Sequence, residues 1–192
     1  MNFQSVIEVG WQKRLINCEV SMRVELMKYP TYEDWWLAKE CTLVTVGKNV
    51  VNPPDIKWKK KILESRHSPI RELRFAFKLI DIPYWVSVHL CRHVHAQPYV
   101  GSQRNDRQDK YDRNEAPQSS PVTMIWTMNA EELMTISNKR LCMKAAKETR
   151  EVVQEMCRLV CEKLPEFSGL LIPACEWQGG VCHEMFPCGR NK

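Results

Sequence analysis

Long apolar segments are missing from this sequence, and none approaches the roughly 20 residues that a membrane-spanning helix needs. The first residues have no basic leader, apolar block or small-residue cleavage site, so we expect no signal peptide and a cytoplasmic protein. In that reducing compartment, nine cysteines are expected as buried thiols or metal ligands before disulfides. Charge of one sign is also scarce. The net charge of +5 suits a binder of phosphorylated small molecules and falls short of a nucleic-acid-binding surface.

What the chain does contain is typical of a globular protein. Hydrophobic residues make up 44% and charged residues 27% of the 192 positions, enough to build one domain with a real core. No internal repeat and no second-domain boundary is visible. We therefore expect one domain over residues 1–192, with a Cys-rich C-terminal tail over residues 173–192.

The periodicity of apolar residues predicts an α+β fold. Residues 15–28 and 73–79 alternate between apolar and polar side chains, which is typical of half-buried strands. Helices are expected between and after them, and one long helical stretch is predicted from residue 129 to about residue 163. Residues 103–121 are polar and predict a loop. Together these segments indicate a mainly antiparallel sheet packed with helices.

Helix starts are marked by capping residues. Thr31 is followed by acidic residues, Asp55 follows a Pro-Pro pair before a Lys-rich segment, and Asn129 precedes Glu131 and Glu132. Pro83 suits the first turn of a further helix.

The segment from Arg92 to Arg104 is the most informative part of the chain. It places Arg92 and His93 near a predicted helix end, and then Ser102 and Arg104 in a loop. Arginines that converge with a hydroxyl can form a phosphate site, because the guanidinium fork matches phosphate oxygens. The alternative is an Arg-rich surface loop with solvent-facing salt bridges, which these residues alone favour.

This segment resembles the signature of the flavin-dependent thymidylate synthases, in which Arg-His-Arg is followed by seven residues and Ser-x-Arg. The resemblance extends in order over roughly residues 35–167, as expected of a shortened and divergent member. The further matching positions are His67-Ser68-Pro69 with Glu72, Phe75 and Phe77, Arg113, Trp126–Ala130, Arg140, and Ala145 with Glu148.

The resemblance implies a fold like that of the thymidylate synthase-complementing proteins and an enzyme that methylates dUMP reductively at C5. FAD would be the cofactor, methylenetetrahydrofolate and NADPH the cosubstrates, and the assembly a homotetramer with shared active sites. The nucleotide would be held by Arg104, Arg113, Arg140 and Ser102. The flavin would be faced by Arg92, His93, His95, His67 and Asn129. Among the catalytic candidates, Ser102 would donate a hydrogen bond to the nucleotide and His89 would exchange a proton near the uracil.

Departures from the family pattern fall mainly on the flavin side. Val94 stands at the third signature position and Val100 replaces an acidic residue, while Glu131 replaces the Arg of Asn-Ala-Arg. Loss of a cationic Arg weakens the hold on an anionic diphosphate. The second hypothesis is therefore a related enzyme without flavin, for example one that hydroxymethylates a pyrimidine nucleotide at C5.

The Cys-rich tail suggests a third, non-catalytic hypothesis. Its candidate zinc ligands are Cys175, Cys182, His183 and Cys188. Thiolates with an interleaved His suit zinc, although free cysteines packed as small hydrophobic residues are the alternative. A zinc-bearing protein of this kind would bind nucleic acid or protein through the tail, the Trp residues and the Lys-rich helix.

Overall fold

Four antiparallel strands form the sheet of the computed structural model, which describes residues 22–104, 106, 112 and 114–190. The strands are β1 (Arg23–Lys28), β2 (Arg74–Pro83), β3 (Gln97–Val100) and β4 (Pro121–Asn129). Their order across the sheet is β1-β2-β4-β3. With helices packed against it, this sheet confirms the expected α+β class.

Six α-helices and two short 3-10 helices accompany the sheet. The α-helices are α1 (Tyr32–Val44), α2 (Ile56–Glu64), α3 (Tyr84–Leu90), α4 (Ala130–Arg140), α5 (Lys147–Lys163) and α6 (Ala174–Trp177). The 3-10 helices span Ser68–Glu72 and Pro165–Phe167. None of the helices described is both long and apolar enough to cross a bilayer.

The core lies between one face of the sheet and the helices. Phe75, Phe77 and Leu79 of β2 are buried, as are every second residue of β4, and Phe77 pairs with Trp126 across the two strands. This period-2 burial is the one that the sequence predicts for residues 73–79. Of the other predicted strand, Arg23–Lys28 forms β1, and residues 15–21 lie outside the described residues.

Helix caps are formed by the residues that the sequence singles out. Asp55 accepts a hydrogen bond from the backbone N–H of Trp58 at 2.7 Å, and Asn129 accepts one from Glu132 at 2.9 Å. The Thr31 N–H donates to Asp34 Oδ2 at 2.8 Å. These bonds satisfy N–H groups that a helix start leaves unpaired, and they fix where each helix begins.

Two predictions of local structure are wrong. The long helix expected over residues 129–163 is two helices, because α4 ends at Arg140 and a turn at residues 141–146 redirects the chain before α5. This break lets α5 pack beside α4 and below β1. Residues 97–100 form β3, which the sequence did not predict. As a four-residue edge strand it tolerates Pro98, which cannot donate a hydrogen bond.

Candidate functional site

Arg140, the last residue of α4, is anchored to the end of α3. Its Nε–H donates to Nε2 of His93 at 2.9 Å, and its Nη2 donates to the backbone carbonyl of His89 at 2.7 Å. Burial lowers the pKa of Arg140, and the charge of Arg92 lowers it further. Within the described part of the chain, no carboxylate forms an ion pair with this half-buried guanidinium.

His93 joins Arg140 to Glu132. Its Nδ1 lies 3.3 Å from Glu132 Oε1, and the two side chains are only 10% and 6% exposed. The ring also packs edge-on against Trp126 of β4, with 6.0 Å between ring centroids. Desolvation, followed by the charge of Arg140, lowers the pKa of His93 to about 4. The imidazole is therefore neutral at pH 7.

A polar cleft opens at the start of α4, beside this chain of contacts. It encloses about 430 Å³ and is lined by Arg71, His95, Asn129, Glu131, Glu132 and Thr135. Arg71 is bound to Glu131 by a charged hydrogen bond. Burial raises the pKa of Glu132, while His95 opposes the shift. Of the five residues predicted to face a flavin, His95 and Asn129 line this cleft, and His93 contacts its wall at Glu132.

The two other predicted flavin residues lie apart from the cleft lining. Arg92 is exposed and close enough to Arg140 to affect its pKa. His67 lines a separate surface cavity with Trp58 and Lys61.

His89 contributes its backbone rather than its ring to the Arg140 site. The imidazole Nδ1 lies 3.4 Å from the Thr149 hydroxyl of α5, and the ring packs edge-on against Trp85. The proton exchange near uracil predicted for His89 stays a prediction.

Ser102 and Arg104 lie in the segment that follows β3. Arg104 forms a bidentate pair with Asp106, at 2.8 Å to Oδ1 and 2.5 Å to Oδ2, and its backbone N–H donates to Ser102 Oγ at 3.3 Å. Across the described ranges, no hydrogen bond or ion pair joins either residue to Arg140. Arg113 lies outside the described residues.

The candidate zinc ligands meet at one cavity without forming a metal site. Cys175, Cys182, His183 and Cys188 line a cavity of about 90 Å³. Among the residues that the structure describes, no group of three or more His, Cys, Asp or Glu side chains could hold a metal ion. Sharing a cavity wall is not enough, because zinc requires its ligands close together in a tetrahedron.

Glu132 is the residue of the site that the sequence analysis missed. Its position in an acidic first turn is explained by helix capping alone, yet the side chain is buried against His93. A signal was available in the spacing. Glu132 and Arg140 are eight residues apart, and two turns of helix bring them roughly to the same side of α4.

Comparison with known proteins gives one family match and similar solved structures. Residues 111–166, which include Asn129 and Arg140, match the family model "Thymidylate synthase complementing protein". The fold is similar to thymidylate synthase X (ThyX) from Helicobacter pylori, solved with FAD and dUMP. The TM-score is 0.63 at 14% identity, covering 79% of this chain and 99% of that one.

A second similar structure is PolB from Streptomyces cacaoi, a UMP/dUMP methylase bound with 5-Br dUMP. Its TM-score is 0.61 at 15% identity, covering 79% of this chain and 97% of that one. No curated protein matches the sequence.

Proposed function

We propose that this chain modifies C5 of dUMP, as a divergent member of the flavin-dependent thymidylate synthase family. The family match and the shared fold support this proposal. The fold alone does not determine the reaction, so the proposal rests on the site. The specific reaction that we propose is reductive methylation of dUMP with methylenetetrahydrofolate, FAD and NADPH.

The observation that carries this proposal is the state of Arg140. A half-buried guanidinium normally meets a carboxylate, since burial of a lone charge is costly. Arg140 instead donates to a neutral imidazole and to a carbonyl, and neither of these groups compensates its positive charge. An anionic or carbonyl-rich ligand such as a uridine nucleotide supplies the missing acceptor oxygens.

Arg104 and Ser102 enter the proposed site from a neighbouring copy of the chain. This arrangement follows the family resemblance, which implies a homotetramer with shared active sites, and within one chain Arg104 is paired with Asp106. Displacement of Asp106 by a nucleotide would free the Arg104 guanidinium for phosphate. Arg113 remains a predicted third arginine of the same site.

The described residues include polar groups and a cation that would suit a flavin. His95, Asn129 and Thr135 offer hydrogen-bonding groups in the cleft, and Arg92 offers an exposed cation for a diphosphate. When bound, the flavin would carry the one-carbon unit and the reducing equivalents. The protein's own residues would hold the nucleotide and the cofactor beside each other, with Arg140 orienting the nucleotide.

One observation favours the second candidate, a flavin-free enzyme that modifies a pyrimidine nucleotide at C5. Glu131 stands where the family has an Arg, and it is bound to Arg71. The cleft lining therefore contains two carboxylates, those of Glu131 and Glu132, and one guanidinium. This balance disfavours an anionic cofactor.

A visible absorption spectrum of the full chain, with and without added FAD, separates these candidates when combined with a calorimetric titration with dUMP. Yellow protein that binds dUMP supports the flavin enzyme, and colourless protein that binds dUMP supports the flavin-free enzyme. Absence of dUMP binding both with and without added FAD refutes the proposed function.

A further inference from the structure

The hydrogen-bond donors of Arg140 are divided between the protein and an open edge. The Nε and Nη2 atoms form the side-on fork of a guanidinium, and here that fork is occupied by His93 Nε2 and the His89 carbonyl. Nη1 and the second Nη2 hydrogen form the end-on fork, which has no acceptor among the described residues. The guanidinium is therefore held by one edge and offers the other.

We propose that His93 is a positioning residue, which holds the end-on fork of Arg140 toward the nucleotide and is itself held in one tautomer by Glu132. This inference rests on the proposed function, because it assigns Arg140 to a nucleotide. It differs from the role that the resemblance implies for His93. Both ring nitrogens already face protein groups, so neither is left for a flavin.

The tautomer follows from the two partners of the ring. Arg140 is always a donor, so Nε2 must accept and cannot carry a proton. The proton of the neutral ring then lies on Nδ1, which is 3.3 Å from the Glu132 carboxylate. A carboxylate that fixes the tautomer of a working His is a recurring arrangement in proteins.

Burial and the charge of Arg140 keep the ring of His93 from taking up a second proton, and desolvation is the larger of the two effects. Glu132 is shared with His95, and Glu131 is occupied by Arg71. Trp126 packs against the ring and limits its rotation. His93 therefore stays neutral and oriented throughout the physiological pH range.

The first test is a long-range proton–nitrogen NMR correlation on the full chain with labelled histidine, from pH 5.5 to 8. A protonated Nδ1 and an unprotonated Nε2 are expected at every pH. A doubly protonated ring, or a proton on Nε2, would overturn the inference. This measurement does not depend on whether dUMP is the ligand.

The second test is the affinity of three variants for dUMP, with Arg158→Ala, at an exposed position on α5, as the control. His93→Phe retains the packing on Trp126 but loses both polar contacts, and about tenfold weaker binding is expected. His93→Gln can accept from Arg140 and donate to Glu132, so its affinity should recover most of that loss. Glu132→Leu removes the carboxylate that fixes the tautomer of His93. The affinity of this variant for dUMP should fall about as much as that of His93→Phe.

The outcomes are distinct from those of the proposed function. Wild-type protein that fails to bind dUMP refutes the function, and the positioning role falls with it. Wild-type binding that His93→Phe leaves unchanged refutes the positioning role alone. Equal losses in His93→Phe and His93→Gln, with melting temperatures unchanged, would also refute it, because they would show that the polar contacts are irrelevant.

Discussion

Arg140 donates a hydrogen bond to the main-chain carbonyl of His89 at 2.7 Å, so the last residue of α4 is fixed to the last turn of α3. A carbonyl near a helix end has no partner within its own helix, and it carries the negative end of the helix dipole. The bond therefore satisfies a backbone acceptor and also orients the side chain that we propose to bind the nucleotide. The separate chain segments that supply the site are joined at this point.

Arg140→Ala should weaken dUMP binding by about 2 kcal/mol, a factor of about 30, while the fold is retained. Arg140→Lys keeps the charge, but one ammonium cannot donate along two edges as the planar guanidinium does. The affinity of this variant for dUMP should therefore lie between those of Arg140→Ala and the wild type. Isothermal titration with dUMP measures both effects, and circular dichroism checks the fold. Arg158→Ala, which removes an exposed Arg paired with Glu155 and Glu162, is the matched control. Unchanged affinity in Arg140→Ala would remove this residue from the site.

The pH dependence of stability reports the burial of His93. Its pKa is about 4 in the folded chain and about 6.5 when unfolded, so the unfolded chain takes up the proton first as the pH falls. Above pH 6.5 the free energy of unfolding includes the full contribution of His93. About 3 kcal/mol of this free energy is lost as the pH falls to 4. Glu132 acts with opposite sign, because its raised pKa favours the folded state at acidic pH and this gain is lost as the pH rises.

Chemical denaturation at intervals between pH 4 and 7.5 measures this loss, and His93→Gln is the comparison. The variant lacks the titrating ring, so its free energy of unfolding should fall less steeply between pH 6.5 and 4. Parallel curves for the two proteins would show that His93 is not responsible for the acid sensitivity.

The sequence predicts most of the framework because local rules determine it. Phe75, Phe77 and Leu79 alternate with polar residues, and only a half-buried strand satisfies that pattern. Asp55 and Asn129 mark helix starts because their side chains cap the backbone within a few residues. The break after Arg140 follows no such rule. The segment keeps helical spacing, and its turn is determined by where α5 must pack.

The site was predictable only as a set of residues. Motif spacing identifies Arg140 and His93, but it does not indicate that they contact each other, because they are 47 positions apart in the chain. Nor does it reveal Glu132 as a partner of the ring, since an acidic first turn also has an ordinary capping explanation. The tertiary structure that brings the end of α4 to the end of α3 decides these contacts.

Glu131 is expected to limit flavin affinity, because it places a carboxylate where the family has a cation. Glu131→Arg should bind FAD about tenfold more tightly than the wild type, and Glu131→Gln should lie between them. Quenching of flavin fluorescence during titration measures the three affinities. Because Arg71 loses its partner in both variants, the comparison isolates the added charge. Equal affinities would show that the cleft beside Glu131 does not receive the cofactor.

A site shared between copies makes a specific prediction about mixed assemblies. Arg104→Ala and Arg140→Ala each remove one arginine from every site of a uniform assembly, so each variant alone should bind dUMP poorly. Where the two variants are neighbours in a mixed homotetramer, one of their shared sites carries both mutations and the other is intact, so mixed assemblies should regain normal sites that neither parent has. Co-expression with two different affinity tags isolates the mixed assemblies, and titration counts their sites.

The contrary results are equally clear. Mixed assemblies that bind no better than the parents would show that both arginines act from one chain, and the proposal of a shared site would fail. Normal binding by uniform Arg104→Ala protein would show that its bidentate pair with Asp106 is a structural contact of the loop. Recovery in the mixed assemblies has a single physical cause, because only a site assembled from two chains can regain both guanidinium groups when each chain lacks one.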